Sequence, residues 1–247
     1  MGNFRLECGF YDGGALGIRN TFHEGNTDAF DGNVFSVPDG TNFLGLFQNT
    51  KYFEGAEEII KREFRLRQEI EDYAVKFISS IREKVGSGTE IVSLHVRRGD
   101  LTDASVNPDL AGYCGNGKDL DKDSIFGKYL ESSKLFFEKS GKNVAYLVFT
   151  GGSRKGDENM SDMDWCKINI SGDNIFYSEN NSSIQDFAIM TMCDHNIIGH
   201  LTTFSWWAAC LNSNPNKIVL SPDEWFLGSS NAGRKRVDFY PKEFIQI

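Results

Sequence analysis

The sequence predicts an α/β protein with a parallel sheet of the Rossmann type, preceded by a smaller first domain. Three observations carry this reading. From Gly88 onward, short apolar runs alternate with helical ones. The run Val144–Phe149 is apolar throughout, as a strand buried on both faces requires. The intervening helical stretches are long enough for the crossovers that parallel neighbours need. The expected division is a shortened N-terminal domain over 1–88 and a Rossmann-like domain over 89–247.

The elements follow in order. The first 40 residues are rich in Gly, Asn and Asp and should be irregular, with at most short strands. From Glu54 the pattern becomes helical: Ile59, Ile60 and Phe64, then Ile70, Ala74, Phe77, Ile81 and Val85, with a break near Arg65. Gly86 and Gly88 stop the helix. Ile91–Val96 reads as a strand, Ser124–Lys139 as a helix, and Val144–Phe149 as the buried strand. A polar loop, Gly151–Ser161, leads to a short helix near Asp164–Lys167. Asn174–Tyr177 is a strand, and Ser183–Cys193 a helix opened by a Ser183/Asp186 capping pair. Asn196–Ile198, Phe204–Leu211 and Lys217–Leu220 complete the alternation as strand, helix and strand.

Composition excludes several classes. Lys+Arg number 26 against 35 Asp+Glu, a net charge of −9, which argues against nucleic-acid binding. An anionic ligand would need a local basic cluster. No apolar run is long enough to span a membrane, and no secretory signal opens the chain. The five cysteines form no CxxC pair and sit in separate segments, which fits reduced thiols and a cytoplasmic location. The Asn-x-Ser/Thr sequons at Asn159, Asn169, Asn180 and Asn181 carry little weight without a signal. The Asp-x-Asp pairs Asp119/Asp121, Asp121/Asp123 and Asp162/Asp164 follow no strong buried strand and do not support a metal site. His23 reads as a surface residue, and Gly13-Gly14 with Gly17 is a glycine loop of low specificity.

Two constellations can carry chemistry. The first is His95-Val96-Arg97-Arg98-Gly99-Asp100 at the carboxyl end of a strand, the edge where open α/β sheets bind ligands. Two guanidiniums there can grip a phosphate or diphosphate bidentately. Gly99 permits a tight turn, and Asp100 can hold one arginine in place. The same segment also reads as a solvated strand end. The second constellation runs from His195 through His200 to Trp207. A short strand enters a hydroxyl-rich turn, and a helix begins whose free amides suit a phosphate. Thr202, Thr203 or Ser205 can equally be the helix N-cap, with Trp206 and Trp207 in the core.

At these residues the sequence resembles the glycosyltransferase family 11 (α-1,2-fucosyltransferase) family. Three blocks carry the likeness. Phe43 to Phe53 is similar to the family's GYFQSEKYF, and His95 to Asp100 to its HxRRGD motif. The third runs from Asp186 through Met190, Cys193, His195 and Ile197-Ile198 to Phe204-Ser205-Trp206-Trp207, Leu211-Asn212, Pro222 and Trp225-Phe226.

The resemblance implies an inverting, metal-independent transferase of GT-B-like architecture that needs no cofactor. Its donor would be GDP-fucose and its acceptor a glycan hydroxyl, most often the 2-hydroxyl of galactose. It implies Arg97, Arg98, Thr203, Phe204 and Ser205 at the donor diphosphate and Asp186 at the guanine. Arg97, Asp100 and His95 are the catalytic candidates, His95 chiefly as a support for Arg97. The general base is Asp100, Asp103 or Asp109, or solvent.

The sequence departs from the family pattern at three places. The family's opening Gly-Gly-Leu-Gly-Asn-Gln loop has only Gly13-Gly14-Ala15-Leu16-Gly17 as a counterpart. Its FSDD segment is Phe149-Thr150-Gly151-Gly152 here, and the turn from His195 to Phe204 is one residue longer. A GDP- or glycan-binding relative without catalysis, or a transferase of other regiochemistry such as α-1,6, are the alternative readings. The acceptor and the oligomeric state are not legible.

Overall fold

The structure, a computed structural model, describes residues 3–5, 20–110, 112–115, 118–151, 162–225, 227–228 and 236–247. Gly13, Gly14, Gly17, Cys8, Asn159 and Gly152 lie outside them. The chain divides into two compact units, Met1–Arg65 with Arg234–Glu243 and Leu66–Gly233 with Phe244–Ile247.

The division falls at Arg65 rather than at 88. The reason is the helix α2, Gln68–Val85, which buries Ile70, Ala74, Ile78 and Ile81 on one face. That face packs against α5, Ser183–Thr191, so α2 belongs with the sheet unit. Ile78 rather than Phe77 completes the buried stripe. The break near Arg65 is real: a separate helix α1, Glu57–Glu63, precedes it and buries none of its residues.

The smaller unit contains two short parallel strands, β1 at Asn20–His23 and β2 at Thr41–Leu44. Glu24 organises the turn after β2, accepting from the backbone N–H groups of Leu46 and Phe47 and from the Tyr52 hydroxyl. The return segment is tied in through Asn49, whose amide donates to the Val237 carbonyl at 2.8 Å. His23 is exposed, as expected.

The larger unit is built on β3 (Glu90–His95), β4 (Val144–Phe149), β5 (Ile175–Tyr177), β6 (His195–Ile197), β7 (Val219–Ser221) and β8 (Ile245–Gln246). Every pairing is parallel, in the order β5-β4-β3-β6-β7-β8. The α/β expectation with a Rossmann-type sheet is met. Only β8 lacks a sequence signal, because two residues cannot display a period. The chain winds outward from β3 to β5 and then returns to β6 on the other side of β3. That reversal makes β3 and β6 the topological switch point, where the ends of two adjacent strands part and leave a crevice.

The crossover helices are α3 (Ile125–Lys139), α4 (Asp162–Asn169), α5 and α6 (Thr203–Leu211). Three of the four starts have a local cause. Ser124 caps α3 by accepting from the Gly127 N–H at 3.1 Å. Ser182 and Gln185 form the capping box of α5, one residue ahead of the expected Ser183/Asp186 pair. Thr202 caps α6 through the Phe204 N–H at 3.2 Å. The core joins Leu94 and Val148 of the sheet to Phe126, Leu130 and Phe137 of α3 and Trp165 of α4, all nearly inaccessible. Each such side chain contributes about 1.5–3 kcal/mol over leaving it exposed.

The amino edge of the sheet is closed by a polar cluster. His195 Nδ1 accepts from the Ile218 N–H at 3.0 Å, so its Nε2 carries the proton and donates to Glu90 at 3.2 Å. Lys142 donates to the same carboxylate at 2.9 Å. Among the described residues Cys114, Cys166, Cys193 and Cys210 take part in no disulfide. Among the described residues no helix is long and apolar enough to cross a membrane.

Candidate functional site

A cleft of about 290 Å³ opens at the carboxyl edge of the sheet, at the switch point. It is lined from β3 and its loop by His95, Val96, Arg97, Arg98, Gly99 and Asp100, and from the end of β4 by Phe149, Thr150 and Gly151. Ser183, Asp186 and Met190 of α5, with Thr202 and Phe204 at the start of α6, complete it. The two separate sequence constellations therefore meet in one place.

The two arginines are held differently. Arg98 is buried and donates through Nε to Asp162 Oδ1 at 3.3 Å, while its guanidinium carbon lies 3.6 Å from the centroid of Trp165. Asp162 Oδ2 also accepts from the Gly99 N–H at 3.0 Å. One buried carboxylate thus fixes both the guanidinium and the turn beside it. Gly99 sits at φ +36°, a region costly for residues with a Cβ. Arg97 is a third exposed; its Nη2 donates to Asp100 Oδ2 at 3.0 Å, and its Nη1 donates to the Leu201 carbonyl. Asp100 holds an arginine as expected, but the second arginine has its own, unforeseen partner in Asp162.

Leu201 adopts φ +49°, a conformation that a branched aliphatic residue rarely takes. It lies in the turn between β6 and α6, and there its carbonyl reaches Arg97. Backbone of this kind concentrates at functional sites.

His95 is half-buried at the cleft floor. Its Nδ1 lies 2.9 Å from Ser205 Oγ, which also accepts from the Gly199 N–H at 3.1 Å. Desolvation, then the neighbouring Arg97 cation, push its imidazole down to about 4, so it is neutral at pH 7. Gly199 is closely approached, since a Cβ there would lie 3.0 Å from the His95 carbonyl oxygen and 3.2 Å from Nδ1.

Four of the expected residues lie off the cleft wall. Ser205 is buried and its hydroxyl is occupied beneath the cleft, so it supports His95 rather than lining the surface. Thr203 is absent from the cleft wall, and Thr202 stands there instead as the N-cap. Of Asp100, Asp103 and Asp109, only Asp100 lines the cleft; Asp103 accepts from the Ser105 N–H and hydroxyl in a local turn.

Asp186 faces the cleft from the first turn of α5. Burial pushes its carboxyl up to about 6, while hydrogen bonds from Ser178 and Asn181 pull against that. At pH 7 it is mainly ionised and an acceptor only. The cleft therefore has a cationic wall from β3 and a carboxylate on α5. A ligand with an anionic part and an N–H-bearing part matches that division. The Arg97–Asp100 pair is partly solvent-exposed, so an incoming anion can displace Asp100 at little cost.

The chain is 25% identical over 200 residues to the O-antigen biosynthesis glycosyltransferase WbnK of Escherichia coli, covering 79% of this chain and 59% of that protein. It is 24% identical over 196 residues to an alpha-1,2-colitosyltransferase of Escherichia coli (77% and 58%). Against galactoside alpha-(1,2)-fucosyltransferase 2 of Sus scrofa it is 29% identical over 176 residues (68% and 45%). It thus spans about half the length of these relatives. The model of glycosyl transferase family 11 matches residues 38–246, and the chain belongs to that family.

Proposed function

We propose that the cleft binds GDP-fucose and transfers L-fucose to a sugar hydroxyl, the 2-hydroxyl of galactose, with inversion and without a metal. The observation that carries this is the convergence of Arg97, Arg98 and Asp186 on one cleft at the switch point. Family membership and the activities named for the relatives support the same reading.

In this mechanism Arg97, Arg98 and the N-terminal amides of α6 hold the diphosphate. They stabilise the negative charge it gains as the bond to the sugar breaks. Arg98 needs no reorganisation, because Asp162 and Trp165 already fix it. The acceptor hydroxyl attacks the anomeric carbon from the face opposite the leaving diphosphate. Asp100, freed when Arg97 turns to the phosphates, accepts the hydroxyl proton. His95 stays neutral and orients the cleft floor through Ser205. Asp186 accepts N–H bonds from the guanine.

The test is to incubate the purified chain with GDP-fucose and a β-galactoside, with and without EDTA. GDP release with a matching mass gain on the acceptor is expected in both conditions, and NMR of the product gives the linkage and anomeric configuration. Loss of activity in EDTA would remove the metal-free reading, and a 1→6 linkage would reassign the regiochemistry.

A second reading, a GDP- or glycan-binding relative without turnover, is motivated by the poor match of Gly13-Gly14-Ala15-Leu16-Gly17 to the family's opening glycine loop. GDP binding without release from GDP-fucose would select it.

A further inference from the structure

Behind Asp186 lies a chain of hydrogen bonds that the donor reading does not use. The Tyr73 hydroxyl of α2 donates to Asn181 Oδ1. Asn181 Nδ2 donates to Ser178 Oγ at 2.7 Å, and the Ser178 hydroxyl donates to Asp186 Oδ1 at 2.6 Å. A carboxylate can only accept, and an amide has one accepting and one donating end. Every hydrogen in the chain therefore points toward Asp186. Such aligned bonds polarise one another.

The chain is anchored where it starts and ends. Ser178 is buried just past β5, and its N–H donates to the Val148 carbonyl at 2.9 Å. The Ser182/Gln185 capping box starts α5 so that Asp186 falls in its first turn. Asn181 bridges these two elements to α2. Three elements thus converge on one carboxylate, with Ser178 bound at its Oδ1, and hold it in place at the cleft wall.

We propose that Tyr73, Asn181 and Ser178 are positioning residues that hold Asp186 as an acceptor for two adjacent N–H groups of the nucleotide base, and so set a preference for guanine. The inference rests on the GDP-sugar reading. Guanine presents a ring N–H beside an exocyclic amine on one edge. Adenine presents a ring acceptor there, and hypoxanthine has a single donor. An acceptor fixed in place rejects rings that lack matching donors, because its own bonds would go unmade.

The test is calorimetric titration of the full chain and its variants with GDP, IDP, ADP and pyrophosphate across pH 5 to 8. The other titratable groups around Asp186 are Tyr73 from α2, reached through Asn181, and His95, Arg97, Arg98 and Asp100 lining the same cleft. Ser178→Ala should weaken GDP binding about tenfold while pyrophosphate binding is unchanged. It should also move the acid limit of GDP binding to higher pH, since a carboxylate that loses a donor is harder to ionise. Tyr73→Phe, which removes one oxygen atom, should act in the same direction by about two- to threefold.

An equal loss of GDP and pyrophosphate affinity in Ser178→Ala, or an unmoved acid limit, overturns the relay. Asp186→Asn separates the two levels of the argument. If it erases the discrimination between GDP and ADP while the Ser178 and Tyr73 variants change nothing, the relay alone fails. If it weakens GDP and ADP equally, the carboxylate reads the ribose, and the base assignment falls with the relay.

Discussion

Arg98 and Asp162 form an ion pair in which both side chains are almost wholly inaccessible, at 2% and 0%. Taking two charges out of water is costly, and their attraction offsets that cost only while both are present. Asp162→Ala should therefore destabilise the protein by about 3–5 kcal/mol, because it strands a buried guanidinium and orphans the Gly99 N–H. Asp162→Asn keeps a hydrogen-bond acceptor and should cost less. Urea denaturation at pH 7 measures both, and equal stability of the alanine variant and the parent would mean that the pair is not closed in solution.

Arg97 contrasts with its neighbour. It is one-third exposed and its partner Asp100 is half exposed, so the pair contributes little to stability. Arg97→Ala should leave the denaturation midpoint nearly unchanged while weakening GDP binding about ten- to a hundredfold, the usual loss for one charge-assisted contact. Titration calorimetry with GDP checks this, and unchanged affinity would remove Arg97 from the donor site.

Gly199 tests the packing beneath the cleft. A Cβ there meets the His95 carbonyl, its ring and Thr202 Cγ2 at 3.0–3.2 Å, and two of these atoms belong to backbone or to a hydrogen-bonded ring. Gly199→Ala should cost about 1–3 kcal/mol as an overpacked site. It should also lower turnover more than a comparable overpacking elsewhere, since His95 and Ser205 shift with it. Denaturation and initial rates on the same variant separate the two effects.

The parts legible in sequence are those with a local cause. The apolar run of β4 and the Arg97-Arg98-Gly99-Asp100 turn can be read because neighbours in the chain specify them. Asp162 was not readable as the partner of Arg98. It lies 64 residues away, and its near neighbour Asp164 made it look like half of an Asp-x-Asp pair. The sequence points Ser205 at the ligand because a hydroxyl at a helix start suits a phosphate. Which way it points depends on His95, brought alongside by the β3–β6 pairing. The compact units divide at Arg65 rather than at 88 for the same reason: the glycines mark where α2 ends, but what α2 packs against is a tertiary fact.

The histidines give the protein a definite acid limb. Burial holds His200 down to about 3, and burial with Arg97 holds His95 down to about 4. In the unfolded chain both titrate near 6.5. Between pH 6.5 and 4 the unfolded state therefore takes up protons that the folded state refuses, and stability falls as pH falls. Each such proton is worth about 1.4 kcal/mol per pH unit. Asp186 works in the opposite sense, because its folded carboxyl, raised to about 6, protonates before the unfolded one. Over the same range it returns part of what the histidines lose. The net expectation is a declining urea midpoint below pH 6.5, with a steeper decline in Asp186→Asn, where the opposing contribution is gone. A midpoint flat from pH 7 to pH 5 in the parent would mean that His95 and His200 are not shielded from protonation in the fold.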